Sequence, residues 1–417
     1  MKLLWIVNIV FPEALSLLSR GASLKATGGW MLGAANALLK HPEIELRIVS
    51  VSPLVTKQEV LEGEKITYYI IPKGSGNTHI NSEYQKYFRI IHDEYQPDVV
   101  HIHGSEYSHG LAYVNECGVN GVVLSIQGLT SVISRYYLCG MSTWEIIKNI
   151  TLRDIVRQDT IFQSKKLCKQ QGVYERVILG KIHNVIGRTS WDRSHAWEIN
   201  PHLNYFFCNE TLRDCFYEGK WDYNHCEKYS IFCSSAQDPI KGFHQLLKAL
   251  PIVKKHYPKT KVYVSGLDVT RQKEKFGFLK ISGYGRIVDK LIKSNNLTED
   301  VAFLGSLDAE EMKKQYLKAN VFVCPSSIEN SPNSLGEAQI LGTPCIASYT
   351  GGVMNLMEGF EDNVYRFEET EMLAYKICQV FENGSNQKDM SELAKKRHDS
   401  VTNSKRLLEI YNDVKGK

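Results

Sequence analysis

Cys324-Pro-Ser-Ser-Ile-Glu329-Asn-Ser-Pro-Asn-Ser-Leu-Gly-Glu337-Ala338 reads as the end of a buried strand, a turn-rich loop and the start of a helix. Asn333 is the expected N-cap, which puts Glu337 about one turn into the helix and leaves Glu329 in the loop before it. Two carboxylates then flank one helix start. The free N–H groups near Asn333, Ser334 and Leu335, with the helix dipole, suit a diphosphate. Carboxylates repel phosphate and suit hydroxyls, so Glu337 is expected to accept from a ribose and Glu329 from a sugar. The competing reading is that both glutamates are ordinary helix-start and surface charges, the usual outcome for an arbitrary pair at this spacing.

Outward from this stretch, short apolar runs alternate with longer helical patterns, the mark of a parallel sheet covered by crossover helices. The alternation occurs twice. The first set of expected strands is Leu3–Val10, Glu45–Val51, Asp98–His103, Val122–Ile126 and Asn184–Ile186, with a helix over Trp30–Leu39. The second is Tyr229–Cys233, Lys261–Ser265, Val301–Leu304, Val321–Cys324 and Pro344–Ser348. Two Rossmann-like domains follow, 1–204 and 205–403, with a last helix at about 404–414 returning to the first. Ligands of such sheets bind outside the carboxyl ends of the strands, so a central cleft between the two is expected.

The bulk numbers agree with two domains: 417 residues, 43% hydrophobic and 23% charged, exceed what one core usually supports. A net charge of +4 makes no demand for a nucleic-acid partner. The ten cysteines show no C-x-x-C pair, which points to a reducing, cytoplasmic setting without a structural metal. The apolar opening Met1–Val10 stops at Phe11-Pro12-Glu13 without a cleavage signal and reads as a first strand. No run approaches the length of a membrane span, so any membrane contact is expected to be peripheral, at the inner face. The segment 134–171 has neither clear period; it reads as a helical excursion with solvated charges or as an amphipathic membrane or acceptor surface.

The sequence resembles the retaining glycosyltransferases of family 4, which have the GT-B fold. The resemblance rests on Glu329 and Glu337 in Glu-Asn-Ser-Pro-Asn-Ser-Leu-Gly-Glu, on Gly342-Thr-Pro-Cys-Ile-Ala-Ser348, and on Gly351-Gly352. It implies that the first glutamate contacts the donor sugar and the second the ribose. Phe232-Cys-Ser-Ser-Ala-Gln-Asp-Pro-Ile-Lys-Gly242 is a second family-like segment, in which Pro239 is read as starting a helix with Lys241 in its first turn. A cation there opposes the helix dipole, which favours an anionic ligand. Relatives commonly have Gly-Arg where this chain has Ser234-Ser235; the arginine is absent, and Arg271 and Arg286 are candidates to replace it.

Gly28-Gly29, ahead of the first helix, matches the family's glycine pair near the donor phosphates. Pro97-Asp-Val-Val-His-Ile-His-Gly104 places His101 and His103 on one strand face; satisfied strand-end histidines are preferred over metal ligands because no third ligand is apparent. Gln127 stands where relatives often carry histidine and cannot act as a general base. Arg188, in Ile186-Gly-Arg-Thr-Ser-Trp-Asp192, serves either an acceptor or a pairing with Asp192. His103, Gln127 and Arg188 are the acceptor-side candidates; Glu329 and Lys241 are the catalytic ones.

The resemblance implies transfer of a hexose or N-acetylhexosamine from a UDP- or GDP-sugar to a saccharide or lipid-linked saccharide, in cell-surface polysaccharide assembly, with no obligatory metal. Two alternatives stand beside it: a non-catalytic glycan- or nucleotide-binding protein on the same scaffold, and a sugar-nucleotide epimerase.

Overall fold

The computed structural model describes residues 1–19, 29–74, 82–272, 274–386 and 388–416. In the first half, β1 (Lys2–Val7), β2 (Glu45–Ser52), β3 (Glu59–Glu62), β4 (Thr67–Pro72), β5 (Val99–His103), β6 (Val122–Ser125), β7 (Asn184–Gly187) and β8 (Asn204–Phe207) form one sheet. Its order is β3-β4-β2-β1-β5-β6-β7-β8, parallel except for β3 against β4. In the second half, β9 (Glu227–Cys233), β10 (Lys261–Val264), β11 (Val301–Phe303), β12 (Ala319–Cys324), β13 (Cys345–Ser348) and β14 (Val364–Tyr365) run parallel in the order β11-β10-β9-β12-β13-β14. The expected pair of parallel sheets is therefore present, and β4, whose Tyr-Tyr-Ile-Ile core the sequence reading passed over, adds to the first.

Alternation of side chains decides why these strands are apolar throughout. Leu4 and Ile6 of β1 enter a core with Tyr69, Phe88 and Ile102, while Leu3, Trp5 and Val7 enter the opposite one with Ile48, Ile70 and Tyr411. Both faces are covered by helices, so both register positions favour apolar side chains, and the buried polar exceptions, such as His101 beside Tyr411 and Ser125, are hydrogen-bonded. Each fully buried aliphatic contributes about 1.5–3 kcal/mol. The second sheet has its own core, including Ile231, Phe243, Val262, Val321 and Ile346.

The chain divides into two compact units: 1–132 with 167–213 and 398–417, and 133–166 with 214–397. This differs from a single boundary at residue 204. The excursion 133–166 is helical, at Thr143–Asn149, Leu152–Arg157 and the start of Ile161–Lys181, and it belongs to the second unit. Cys139, Met141, Ile146 and Ile161 are part of that unit's core, and Asp154 Oδ2 accepts from Gly283 N at 2.7 Å. The last helix, Ser400–Val414, sits in the first unit, where Trp5 Nε1 donates to Tyr411 Oη at 3.0 Å.

In each sheet the strand order reverses beside the first strand of the unit, between β1 and β5 and between β9 and β12. At such a switch point the loops leaving the two strands part to opposite faces and open a crevice. The crevice of the second unit is bounded by the loops 234–242 and 325–332, which carry Lys241 and Glu329.

Candidate functional site

Two glycines let these loops meet. Gly242 has φ +69°, and a Cβ on it would lie 1.7 Å from the Pro325 carbonyl oxygen. Gly351 has φ +52°, and its Cβ would lie 1.9 Å from the Glu329 carbonyl oxygen. Only a residue without a side chain fits either place. Hydrogen bonds close the contact: Ser327 N donates to Ile240 O (2.8 Å) and Gly352 N to Glu329 O (2.9 Å). The family-like Gly351-Gly352 thus clamps the backbone of Glu329.

The side chains of the two catalytic candidates then meet directly. Lys241 Nζ and Glu329 Oε1 are 2.7 Å apart, and Ser326 Oγ donates to the same oxygen at 2.7 Å. Burial alone would lower the lysine pKa, but the Glu329 carboxylate outweighs it and holds the ammonium above its ordinary value. Lys241 is therefore charged throughout the physiological range. Its position differs from the expected first helical turn. Pro239–Lys241 is a separate 3₁₀ turn capped by Asp238, and the following helix, Phe243–His256, begins after Gly242. Repulsion from a helix dipole is thus not what marks this lysine; its pairing with Glu329 is.

At the helix start, Pro332 rather than Asn333 is the N-cap of Asn333–Ile340. The proline supplies no side-chain cap, so its carbonyl takes the first turn: Leu335 N donates to Pro332 O at 3.0 Å. Leu335 thus has no free N–H, which leaves Asn333 and Ser334 to face a ligand. Ser234, at the end of β9, donates its hydroxyl to Ser334 Oγ at 3.3 Å and brings the family-divergent Ser-Ser to this helix start. Glu337 is buried one turn in, where Tyr316 Oη donates to its Oε2 at 3.3 Å. Arg271 and Arg286 lie elsewhere. Arg271 pairs with Glu274, and Arg286 donates to Ile150 O at 3.4 Å.

Beside the Lys241 turn a cavity of about 340 Å³ is lined by Gln237, Asp238, Pro239, Ser282 and Tyr284. The sequence signal was Gly283-Tyr-Gly285, opening the helix Gly283–Ser294: a Cβ on Gly285 would stand 2.2 Å from Val269 O.

In the first unit, Gly28 lies outside the described residues, and Gly29 is the first residue of the helix Gly29–Leu38. His103, Gln127 and Arg188 line one small cavity of about 50 Å³, room for water rather than a sugar ring. Arg188 is buried and its guanidinium pairs with Glu210, not Asp192; it also donates to the carbonyls of Ile126 (3.0 Å) and Gln127 (3.2 Å). Asp192 instead accepts from the Arg188 backbone and caps the helix Ser190–Ile199 in a capping box with Thr189. His101 is held by Tyr411 Oη (2.7 Å) and Ser125 Oγ (2.6 Å), and the His103 ring stacks on it at 3.8 Å. Burial pushes His103 down to about 3, so it is neutral. Glu106, three residues past β5 and unmarked in the sequence reading, is pushed up to about 7 by burial, with the neighbouring Glu175 adding to the shift.

Residues 218–397 match the family described as glycosyl transferases group 1. No curated protein matches the chain. Solved structures share the fold over nearly the whole length. Sucrose-phosphate synthase from Thermosynechococcus elongatus is 16% identical, with 99% of each chain covered and a TM-score of 0.69. HepE of Anabaena in complex with UDP-glucose is 14% identical, covering 99% of this chain and 100% of that one, with a TM-score of 0.66. The E. coli trehalose-6-phosphate protein bound with UDP-2-fluoro glucose is 11% identical, covering 100% and 99%, with a TM-score of 0.60. The fold is GT-B, two Rossmann-like parallel-sheet units.

Proposed function

We propose that the chain is a retaining glycosyltransferase that moves a hexose or N-acetylhexosamine from a UDP- or GDP-sugar to a saccharide or lipid-linked saccharide in cell-surface polysaccharide assembly, in the cytoplasm. The observation that carries this reading is the Lys241–Glu329 pair, held by two obligatory glycines at the switch point of the unit that matches the glycosyl transferases. The UDP-sugar complexes of proteins with the same fold support the donor class.

An ammonium has three donors. One serves Glu329, and the others face the diphosphate as its charge grows, with the Asn333 and Ser334 N–H groups beside them. Glu329 accepts from donor sugar hydroxyls, and Glu337 from the ribose. The sugar C1–O bond to the diphosphate breaks while the acceptor oxygen bonds C1 from the same face, and the leaving phosphate takes the acceptor proton. Gln127 positions the acceptor hydroxyl, with Arg188 and His103 holding its surroundings; no metal is required.

The second reading is binding without turnover, with Lys241 committed to Glu329. Incubation with labelled UDP- and GDP-sugars decides between the two. Transfer to an added saccharide, with the product anomer matching the donor by NMR, supports the enzyme. Saturable binding without transfer or hydrolysis leaves only the binding protein, and a donor isomerised without acceptor indicates an epimerase.

A further inference from the structure

The helix Leu152–Arg157 is inside out. It buries its acid, Asp154 at 2% exposure, and presents its aliphatics, with Leu152 72% and Val156 75% exposed and Ile155 also out. Its capping box explains the burial: Asp154 accepts from Thr151 N, and also from Gly283 N of the neighbouring helix. Packed against it is the single turn Gly277–Lys280, which exposes Phe278 at 72% and, from its N-cap, Phe276. Phe276 has φ +59°, a conformation that costs a bulky residue energy, and its side chain is exposed. Water does not favour exposing Leu152, Val156, Phe278 and Leu279, which line one cavity.

Between these two elements lies a cavity of about 940 Å³ lined by Arg153, Arg157, Arg271, Lys280, Arg286 and Glu274. Arg153 is held by Asp154 and Asp159, and Arg271 and Lys280 share Glu274, so that Arg157 and Arg286 are the lining cations without a carboxylate partner among the described residues. Leu152, Val156 and Phe278 share that lining. Cationic walls with apolar side chains beside them match an amphiphile with an anionic head. A soluble acidic partner would satisfy the cations but leave the apolar residues wet. Among the described residues no helix is long and apolar enough to cross a membrane, so the contact is one of surface.

We propose that this face of the second unit docks on an anionic lipid bilayer, with Leu152, Val156, Phe276 and Phe278 entering the headgroup boundary and Arg157 and Arg286 taking lipid phosphates. The inference stands apart from the donor reading, since none of these residues belongs to the Lys241–Glu329 site. The test is co-sedimentation of the full chain with vesicles of equal parts phosphatidylglycerol and phosphatidylcholine, and with phosphatidylcholine alone. The wild type should pellet with the first and not the second, less so at high salt. The triple variant Leu152→Ser, Val156→Ser, Phe278→Ser should lose about tenfold or more in partitioning with its thermal transition unchanged. Arg157→Glu, a single exposed change that keeps the fold, should lose the phosphatidylglycerol preference. Wild-type partitioning by a folded triple variant or by Arg157→Glu, equal pelleting with both vesicles, or no pelleting at all overturns the proposal. So does a wild-type dimer that the triple variant converts to monomer, which would assign the face to a second copy.

Discussion

The two switch points of this molecule are built from the same topology and differ in where their charges go. In the second unit, the loops after β9 and β12 interlock through Gly242 and Gly351 and leave Lys241 partly accessible beside Glu329. In the first unit, the charges near the ends of β5, β6 and β7 turn inward: Arg188 is buried against Glu210, and Glu175 accepts from the Thr130 and Ser131 backbones at 2.8 and 3.0 Å. One crevice leaves its charged pair partly open; the other spends its charges on its own walls. The same fold can therefore leave a charged pair accessible at one switch point and bury its charges at the other, and local hydrogen bonds, not topology, decide which.

The comparison breaks most readily at Gly242. Gly242→Ala sets a Cβ against a carbonyl oxygen at a positive φ and should cost roughly 3–5 kcal/mol of stability, with turnover lost. A thermal melt within a degree of wild type would show that the loops do not interlock as described. Next, Lys241→Ala should lower turnover by about 100-fold, roughly 3 kcal/mol, while weakening donor binding far less. Equal losses in kcat and donor affinity would reduce the lysine to a ground-state contact.

The inward charges of the first unit make a smaller, pH-dependent prediction. The Glu106 carboxyl keeps its proton to about pH 7 when folded, against an ordinary value of 4.5. The folded state thus binds more protons in that window, and stability should fall as pH rises from about 4.5 to 7. Glu106→Gln should flatten that fall and stabilise by about 3 kcal/mol above pH 7; denaturant midpoints across the range check it. An unchanged slope would exclude Glu106 as its source. Smallest is Gln127→His. With the leaving phosphate as proton acceptor, turnover should stay within about twofold of wild type or fall, with no new titration near pH 6.5. A several-fold gain with such a titration would give proton removal to this position.

Much of the second crevice was legible because its parts are contiguous. Cys324 to Ala338 contains strand end, loop, glutamates and helix in one run, and Pro239 fixes its own turn. The meeting of Lys241 with Glu329, 88 residues apart, has no local signature; it depends on the β9–β12 pairing, which no periodicity reports. Pro332 took the cap expected of Asn333 because φ and chain direction, not the side-chain acceptor, set that corner. The helices Thr143–Asn149 and Leu152–Arg157 escaped for two reasons. Each spans two turns or fewer, and the second reverses the polarity by which a helix is ordinarily recognised. Arg188 looked available because a sequence shows its charge and not Glu210, which lies 22 residues further on.

The tie between Trp5 and Tyr411 has a consequence for synthesis. The chain passes between its two units four times, and the indole buried in β1 finds its phenol partner only 406 residues later. On the ribosome, the first sheet to be made is thus the last to be finished: one face of β1 to β8 is covered in part by the helices Pro12–Leu18 and Gly29–Leu38, and Leu407, Ile410, Tyr411 and Val414 complete it only later. Contacts of such sequence separation form late and leave apolar surface open meanwhile. The first unit is therefore complete only once the segment 398–417 has joined the strands made before it.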